Sequence, residues 1–240
     1  MINYIDSRSN KKVKYAKSLT IKKYREEFHE FLSEGFKNLE LAIQSGLLKS
    51  VFATSKIKGI PEGVEFNLVK EDVLEYLAES KSPEGVVFIC AIPEHNYVKT
   101  MQKLVYLDEL NDPGNVGTIL RTALAFGFDG VVVSPNTVDL YNPKVVAASK
   151  GAIYMIPTFR GELEDYKDNR TVIVSALHSK SIELKKVNKT DRIILVIGSE
   201  SHGVRESVLA QADVVTKIEI DNIESLNASV AAAILMYELK

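Results

Sequence analysis

Apolar positions along the chain fall into two regimes. Residues 1–95 carry short mixed segments. A basic helical stretch is predicted over 9–25, and a helix over 34–46 with apolar positions Phe36, Leu39, Leu41 and Ile43, closed by Gly46. Strands follow at 51–54 and 65–69, then a helix at 70–77. A turn at Ser82-Pro83-Glu84-Gly85 leads into a strand at 86–92 with no polar position, the pattern of a buried strand.

From residue 104 the rhythm is regular. Apolar strands are predicted at 104–110, 130–134, 171–177, 193–197 and 214–220, with helical stretches at 116–126, 143–151, 204–210 and 226–239. Strand–helix alternation with near-continuous apolar strands predicts a mostly parallel sheet covered on both faces. The polar, aperiodic segment 93–102 separates the regimes. The expected fold class is therefore α/β: a smaller N-terminal α/β domain at 1–95, a linker at 96–103 and a larger domain at 104–240. The final helix repeats Leu226, Val230, Ile234 and Tyr237, a stripe that means either core or a subunit interface.

Composition narrows the class. At 240 residues, 45% hydrophobic and 26% charged, the chain reads as an ordinary folded protein able to bury a core without staples. Its one cysteine, Cys90, sits inside the apolar strand at 86–92, so a disulfide framework and a four-thiolate zinc site are excluded and a reducing compartment is expected. The longest apolar runs fall far short of the ~20 residues that span a bilayer. Residues Met1 to Asp6 lack the basic and apolar regions of a secretion signal, so a cytoplasmic protein without membrane association is expected. His29, His95, His178 and His202 have no partner at metal-ligand spacing, and no metal is expected.

The net charge of −2 is unevenly spread. Residues 1–25 hold eight cations (Arg8, Lys11, Lys12, Lys14, Lys17, Lys22, Lys23 and Arg25) against the single anion Asp6, and the rest of the chain is acidic. Such an arm suits a phosphate backbone, with Tyr15 and Tyr24 available to stack on bases; the same charges also suit a solvated helix face.

Ligands of open α/β sheets bind beyond the carboxyl ends of strands, and three loops there are chemically distinctive. The first is Asn111-Asp112-Pro113-Gly114-Asn115-Val116-Gly117, followed on its helix by Arg121. A guanidinium there suits a phosphate or a developing oxyanion, or is simply a surface arginine. The second is Gly198-Ser199-Glu200-Ser201-His202-Gly203, where glycines allow close backbone approach and Glu200 can orient a polar group. The third leads from Ile218 and Ile220 to Ser225-Leu226-Asn227-Ala228-Ser229. Ser225 serves there either as an N-cap or as part of a polar pocket. No dinucleotide fingerprint, Walker A loop or nucleophile elbow is present, and Cys90 reads as a packing residue.

Asn115 with Arg121 six residues on, then a Gly-x-Glu turn after a strand, then Ser-Leu-Asn-x-Ser opening a C-terminal helix, is far more specific than any one piece. In this order the motifs resemble the SpoU (TrmH) class of the SPOUT superfamily, RNA ribose 2′-O-methyltransferases that use S-adenosylmethionine. The resemblance runs from about residue 104 to 239. Ser9-Asn10 before Val13-Lys14, then Lys23-Tyr24-Arg25 and Glu34-Gly35, are similar to the L30e-like substrate-binding domain of the ribosomal-RNA members.

The resemblance implies a parallel sheet with a deep trefoil knot, a homodimer, no metal, and RNA, most simply ribosomal, as substrate; a transfer-RNA substrate and a non-catalytic RNA-binding protein are the alternatives. It implies catalytic roles for Arg121, Asn115, Glu200, Ser225 and Asn227. Donor contacts are implied for Ala176, Leu177, Gly198, Ile218, Ile220 and Leu226, while the basic arm itself offers Arg8, Lys11, Lys12, Lys14, Lys22, Lys23 and Arg25 as candidate RNA contacts. This chain departs from the family at Leu124, usually acidic, at Ser201, usually glycine, and at Glu219, usually proline. Its loop from Ile218 to Ser225 is one residue short and lacks the customary glycine.

Overall fold

The computed structural model describes residues 2–240; Met1, the first of the residues read for a secretion signal, lies outside the described residues. The chain forms two compact units, one running to Glu94 and completed by Asp139–Tyr154, the other made of His95–Val138 and Met155–Lys240.

The first unit contains β1 (Ile2–Ile5), α1 (Lys11–Ser18), α2 (Lys22–Phe28), β2 (Glu30–Glu34), α3 (Phe36–Gln44), β3 (Leu48–Ala53), β4 (Glu65–Val69), α4 (Glu71–Leu77) and β5 (Val86–Ala91). Its five-stranded sheet runs β1-β4-β3-β5-β2, with β5 antiparallel to both neighbours. Val87, Val13, Leu19 and Leu74 belong to a closed core on the sheet, and Cys90 is fully buried.

The single helix expected over 9–25 is two helices. The chain breaks at Leu19-Thr20-Ile21, where Ile21 is extended and the buried Leu19 offers its carbonyl to the guanidinium of Arg25 at 2.7 Å. Strands β1 and β2 were not expected. β2 hides behind the polar edges Glu30 and Glu34, and its buried centre of Phe31, Leu32 and Ser33 is too short to show a period.

The second unit opens with β6 (Lys103–Asp108), α5 (Pro113–Ala125) and β7 (Gly130–Val133). The chain then supplies α6 (Pro143–Ser149) and a short 3₁₀ turn (Ala152–Tyr154) to the first unit. There Tyr141 and Tyr154 pack on Phe31, with ring centroids 4.9 and 5.9 Å away. This helix, expected within the larger domain, thus belongs to the first unit. The second unit resumes with β8 (Thr158–Arg160), α7 (Glu164–Lys167), β9 (Thr171–Ser175), β10 (Ile182–Glu183), β11 (Ile193–Gly198), α8 (Glu206–Leu209), β12 (Val214–Lys217) and α9 (Ala228–Leu239).

Seven parallel strands form one sheet in the order β10-β12-β9-β11-β6-β7-β8. The continuous apolar runs follow from burial on both sides: every residue of β7, and Ile193 to Ile197 of β11, is buried. β12 ends at Lys217, three residues before the predicted limit, so Ile218 and Ile220 leave the sheet. Among the described residues no helix is long and apolar enough to cross a membrane.

Candidate active site at the carboxyl ends of the strands

β12, β9, β11 and β6 lie side by side, so the loops leaving their carboxyl ends gather at one place. In the first, Asp112 caps α5: its carboxylate accepts the Asn115 amide N–H at 2.7 Å, and Pro113 holds the first helical position. Asn115 is thereby fixed, largely buried, in the first turn.

The loop after β11 closes on itself. Ser199 and Gly203 exchange backbone hydrogen bonds of 3.0 and 2.9 Å. A β-carbon at Gly198 would lie 2.4 Å from the Gly203 carbonyl carbon and 2.5 Å from the Val204 nitrogen, so only glycine fits beneath this turn. Glu200, carried by the turn, accepts a hydrogen bond from the side-chain amide of Asn115.

Asn227, not Ser225, caps α9. Its carbonyl oxygen accepts from the Ser229 N–H at 3.0 Å, the Ser229 hydroxyl at 2.7 Å and the Val230 N–H at 3.3 Å. Its amide nitrogen donates to the Asn115 carbonyl oxygen at 3.0 Å. The cap therefore sets the polarity of the whole chain of bonds. With the Asn227 oxygen committed to the helix, Asn115 must accept through oxygen and donate through nitrogen, and Glu200 is left as the acceptor.

Beside this chain lies a cavity of about 380 Å³, within the roughly 300–1,000 Å³ typical of small-molecule sites. All six expected donor contacts line it: Ala176, Leu177, Gly198, Ile218, Ile220 and Leu226. So do Glu200 and Ser225, and the early end of β12 is what lets Ile218 and Ile220 reach it. His178, His202 and Lys217 also face the cavity. Sequence reading passed over them, since isolated basic residues beside a motif carry no spacing signal.

Arg121 stands apart. It is exposed, it does not line the cavity, and among the described residues no hydrogen bond or ion pair holds it. Six helical residues separate it from Asn115, a rise of about 9 Å and a rotation of about 240°. A single chain thus brings Asn115, Glu200 and Asn227 together but not Arg121. The stripe on α9 is likewise open to solvent: Val230, Ile234 and Tyr237 are 48%, 39% and 59% exposed, Tyr237 touching Phe126 edge-on, while Ala232, Leu235, Met236 and Leu239 fill the core side.

In the first unit Lys11, Lys14, Lys22 and Lys23 are exposed. Arg8 lies over the Tyr76 ring at 5.5 Å and pairs with Asp72 at 3.5 Å, and Lys12 pairs with Glu65. Arg25 corrects the expectation of an RNA contact. It is 2% exposed, with its guanidinium 2.6 Å from Asp139, a tie that holds the 139–154 segment. Tyr15 donates its hydroxyl to Glu30 at 2.7 Å and packs on Phe28, so it serves the unit's own packing.

Residues 102–237 match the model of the SpoU rRNA methylase family, and residues 10–87 match an MRM3-like substrate-binding domain. The chain belongs to the SpoU rRNA methylase family. Among its relatives, the 23S rRNA (guanosine(2553)-2′-O)-methyltransferase RlmP of Bacillus subtilis is 31% identical, with the match covering 98% of each chain. The AdoMet-bound rRNA methyltransferase of Sinorhizobium meliloti superimposes with a TM-score of 0.91 at 26% identity, over 99% of this chain and 97% of that one. A putative TrmH-family RNA methyltransferase from Porphyromonas gingivalis gives 0.85 at 26% identity, over 97% and 98%. These SpoU methylases share the α/β architecture of a parallel sheet with a smaller N-terminal domain, as the motifs implied.

Proposed function

We propose that this SpoU methylase transfers a methyl group from S-adenosylmethionine to a ribose 2′-hydroxyl of ribosomal RNA, as a cytoplasmic homodimer with a knotted carboxyl-terminal region. One observation carries the reading. The loops after β9, β11 and β12 build a single cavity whose apolar walls and backbone ends suit an adenosine and a short aliphatic chain, Glu200 faces into it, and Asn115 of the first motif loop is bonded to Glu200. Ala176, Leu177, Gly198, Ile218, Ile220 and Leu226 would hold the donor. When bound, S-adenosylmethionine supplies an electrophilic methyl on a sulfonium.

The chain's own residues answer the remaining need, which is to make a weakly nucleophilic hydroxyl attack. Glu200, fixed as an acceptor, is placed to receive a hydrogen bond from the ribose or from a guanidinium. Ser225 offers a hydroxyl at the cavity wall. Arg121, through its guanidinium donors, would stabilise the developing alkoxide and the neighbouring phosphate. Orientation supplies the rest, a contribution of roughly 7–11 kcal/mol when reactants are held in line.

A second copy of the chain explains two observations at once. The uncovered Val230, Ile234 and Tyr237 stripe is the face it would cover. Arg121, exposed, outside the cavity lining and without a partner among the described residues, is the residue one copy would lend to the other. RNA would be held by the first unit through Arg8, Lys11, Lys12, Lys14, Lys22 and Lys23, the surface cations within or beside the matched substrate-binding domain.

The test is transfer of labelled methyl from S-adenosylmethionine to 23S rRNA, with 2′-O-methylated positions mapped in a strain lacking the gene. Guanosine 2553, for which the Bacillus relative is named, is the first nucleotide to inspect. Donor binding at micromolar ligand and loss of one ribose methylation are expected. No binding at millimolar donor would replace this reading with that of a non-catalytic RNA-binding protein.

A further inference from the structure

The buried charge cluster beside the cavity belongs to none of the motifs. Asp108, the last residue of β6, is completely buried, and a carboxylate there must be paired. Its partner is Arg205. The Arg205 backbone N–H donates to one carboxylate oxygen at 2.8 Å, and its Nε donates to the other at 2.7 Å. The same guanidinium donates to Glu162 at 2.9 Å and to the Tyr106 hydroxyl at 3.2 Å, with Glu109 at 3.9 Å. Surrounding anions keep the Arg205 guanidinium protonated, the Glu162 hydrogen bond foremost among them.

The position of this cluster gives it meaning. Asp108 stands opposite Gly198 in the β6–β11 register, and Gly198 begins the turn that carries Glu200. Arg205 ends the same segment, two residues after Gly203. The turn is therefore anchored at both ends to one point of the sheet: through the strand ladder at Gly198 and through Arg205 on Asp108. Gly203 and Val204, which wall the cavity, lie between the anchors. Arg205 itself does not line the cavity.

We propose that Arg205 is a positioning residue for methyl transfer, clamping the Gly198–Val204 turn onto Asp108 so that Glu200 and the donor wall are held where Asn115 meets them. This rests on the methyltransferase reading above. A planar, forked guanidinium suits the task because it reaches Asp108, Glu162 and the Tyr106 hydroxyl in fixed directions while the backbone N–H of the same residue takes the second Asp108 oxygen; lysine offers a point charge without the fork.

The experiment compares wild type with Arg205→Lys, Arg205→Ala and Glu162→Gln by thermal unfolding, S-adenosylmethionine titration and steady-state kinetics on 23S rRNA. Arg205→Lys, which keeps the charge, is expected to remain folded yet lose about 10²-fold in kcat, the scale of an ångström misplacement. Its KM for RNA stays within twofold. Glu162→Gln, which removes only the outer arm, shows the same pattern more weakly and covers the case in which Arg205→Ala fails to fold.

The decisive measurement is the double variant. If Arg205 acts through Glu200, Arg205→Lys adds little to the loss already caused by Glu200→Gln. Full multiplication of the two losses, or a folded Arg205→Lys with wild-type kcat and donor affinity, overturns the proposal. Failure of the wild type to bind donor would instead overturn the methyltransferase reading.

Discussion

The side-chain amide of Asn227 donates to the carbonyl oxygen of Asn115 at 3.0 Å, joining the cap of the last helix to the first turn of a helix 112 residues earlier. Asn227 thus does two jobs, capping α9 through oxygen and holding the site through nitrogen, and the two are separable by substitution.

Asn227→Asp keeps an N-cap acceptor and removes the donor. Thermal stability is expected to change by less than about 1 kcal/mol, while methyl transfer falls by about 10²-fold or more. Asn227→Ala loses the cap as well, at a further cost of about 1 kcal/mol. Melting curves and single-turnover assays on the same preparations separate the effects; equal activity of Asn227→Asp and wild type would break the proposed chain from helix cap to Glu200.

Arg121→Ala removes a side chain with no partner among the described residues. Stability should stay within about 0.5 kcal/mol of wild type, and kcat should drop by about 10²–10³, the scale of losing one oxyanion donor. Mixing Arg121→Ala with an otherwise intact Glu200→Gln protein tests the shared site directly. In the heterodimer each copy carries one lesion, both lesions fall in the same shared cavity, and the other cavity is sound and recovers part of the activity. Absence of any recovery in mixed dimers argues that each copy uses its own arginine.

The two kinds of basic residue in the first unit should part company. Replacing Arg25 with methionine leaves Asp139 without its partner and is expected to destabilise by about 3 kcal/mol. Replacing Lys11 and Lys14 with glutamine should leave stability unchanged. Each lost phosphate contact should reduce the slope of log affinity for RNA against log salt by about 0.7–0.9. Filter binding between low and physiological salt, beside urea unfolding, reads both.

Asp168 gives the protein a specific acid sensitivity. The hydrogen bond from the Tyr97 hydroxyl, helped by Arg170 and Lys99, holds its carboxyl below the ordinary value. A lowered folded-state value means the stabilisation is complete above the unfolded value of about 3.9 and is lost as pH falls through the folded one. Urea unfolding from pH 6 to 3 should show wild type losing stability below about pH 4. Asp168→Asn should be weaker at pH 6 and show less further decline; parallel curves would remove Asp168 from the account.

Much of the second unit was legible because its central strands are buried on both faces and so read as unbroken apolar runs, and the loops after β6 and β11 carry glycine or asparagine. Eight of the residues lining the cavity, Ala176, Leu177, Gly198, Glu200, Ile218, Ile220, Ser225 and Leu226, followed from motif resemblance, whereas His178, His202 and Lys217 did not. What stayed hidden depended on partners distant in sequence. Nothing local marks Arg25 as buried, since its counter-ion, Asp139, lies 114 residues away. Arg205 looks like one more surface arginine until Asp108 is placed across the sheet from Gly198. The short strands β8 and β10 have three and two residues, too few to show any alternation.

The passage of residues 139–154 into the first unit also governs how the gene can be cut. A fragment starting near residue 95 would carry α6 and Tyr154 without Phe31 and the other surfaces that bury them, presenting Val145, Val146 and Ile153 to water. Expression of the methylase half as a simple truncation should give aggregates, whereas replacing 139–154 by a short polar connector removes that exposed apolar surface.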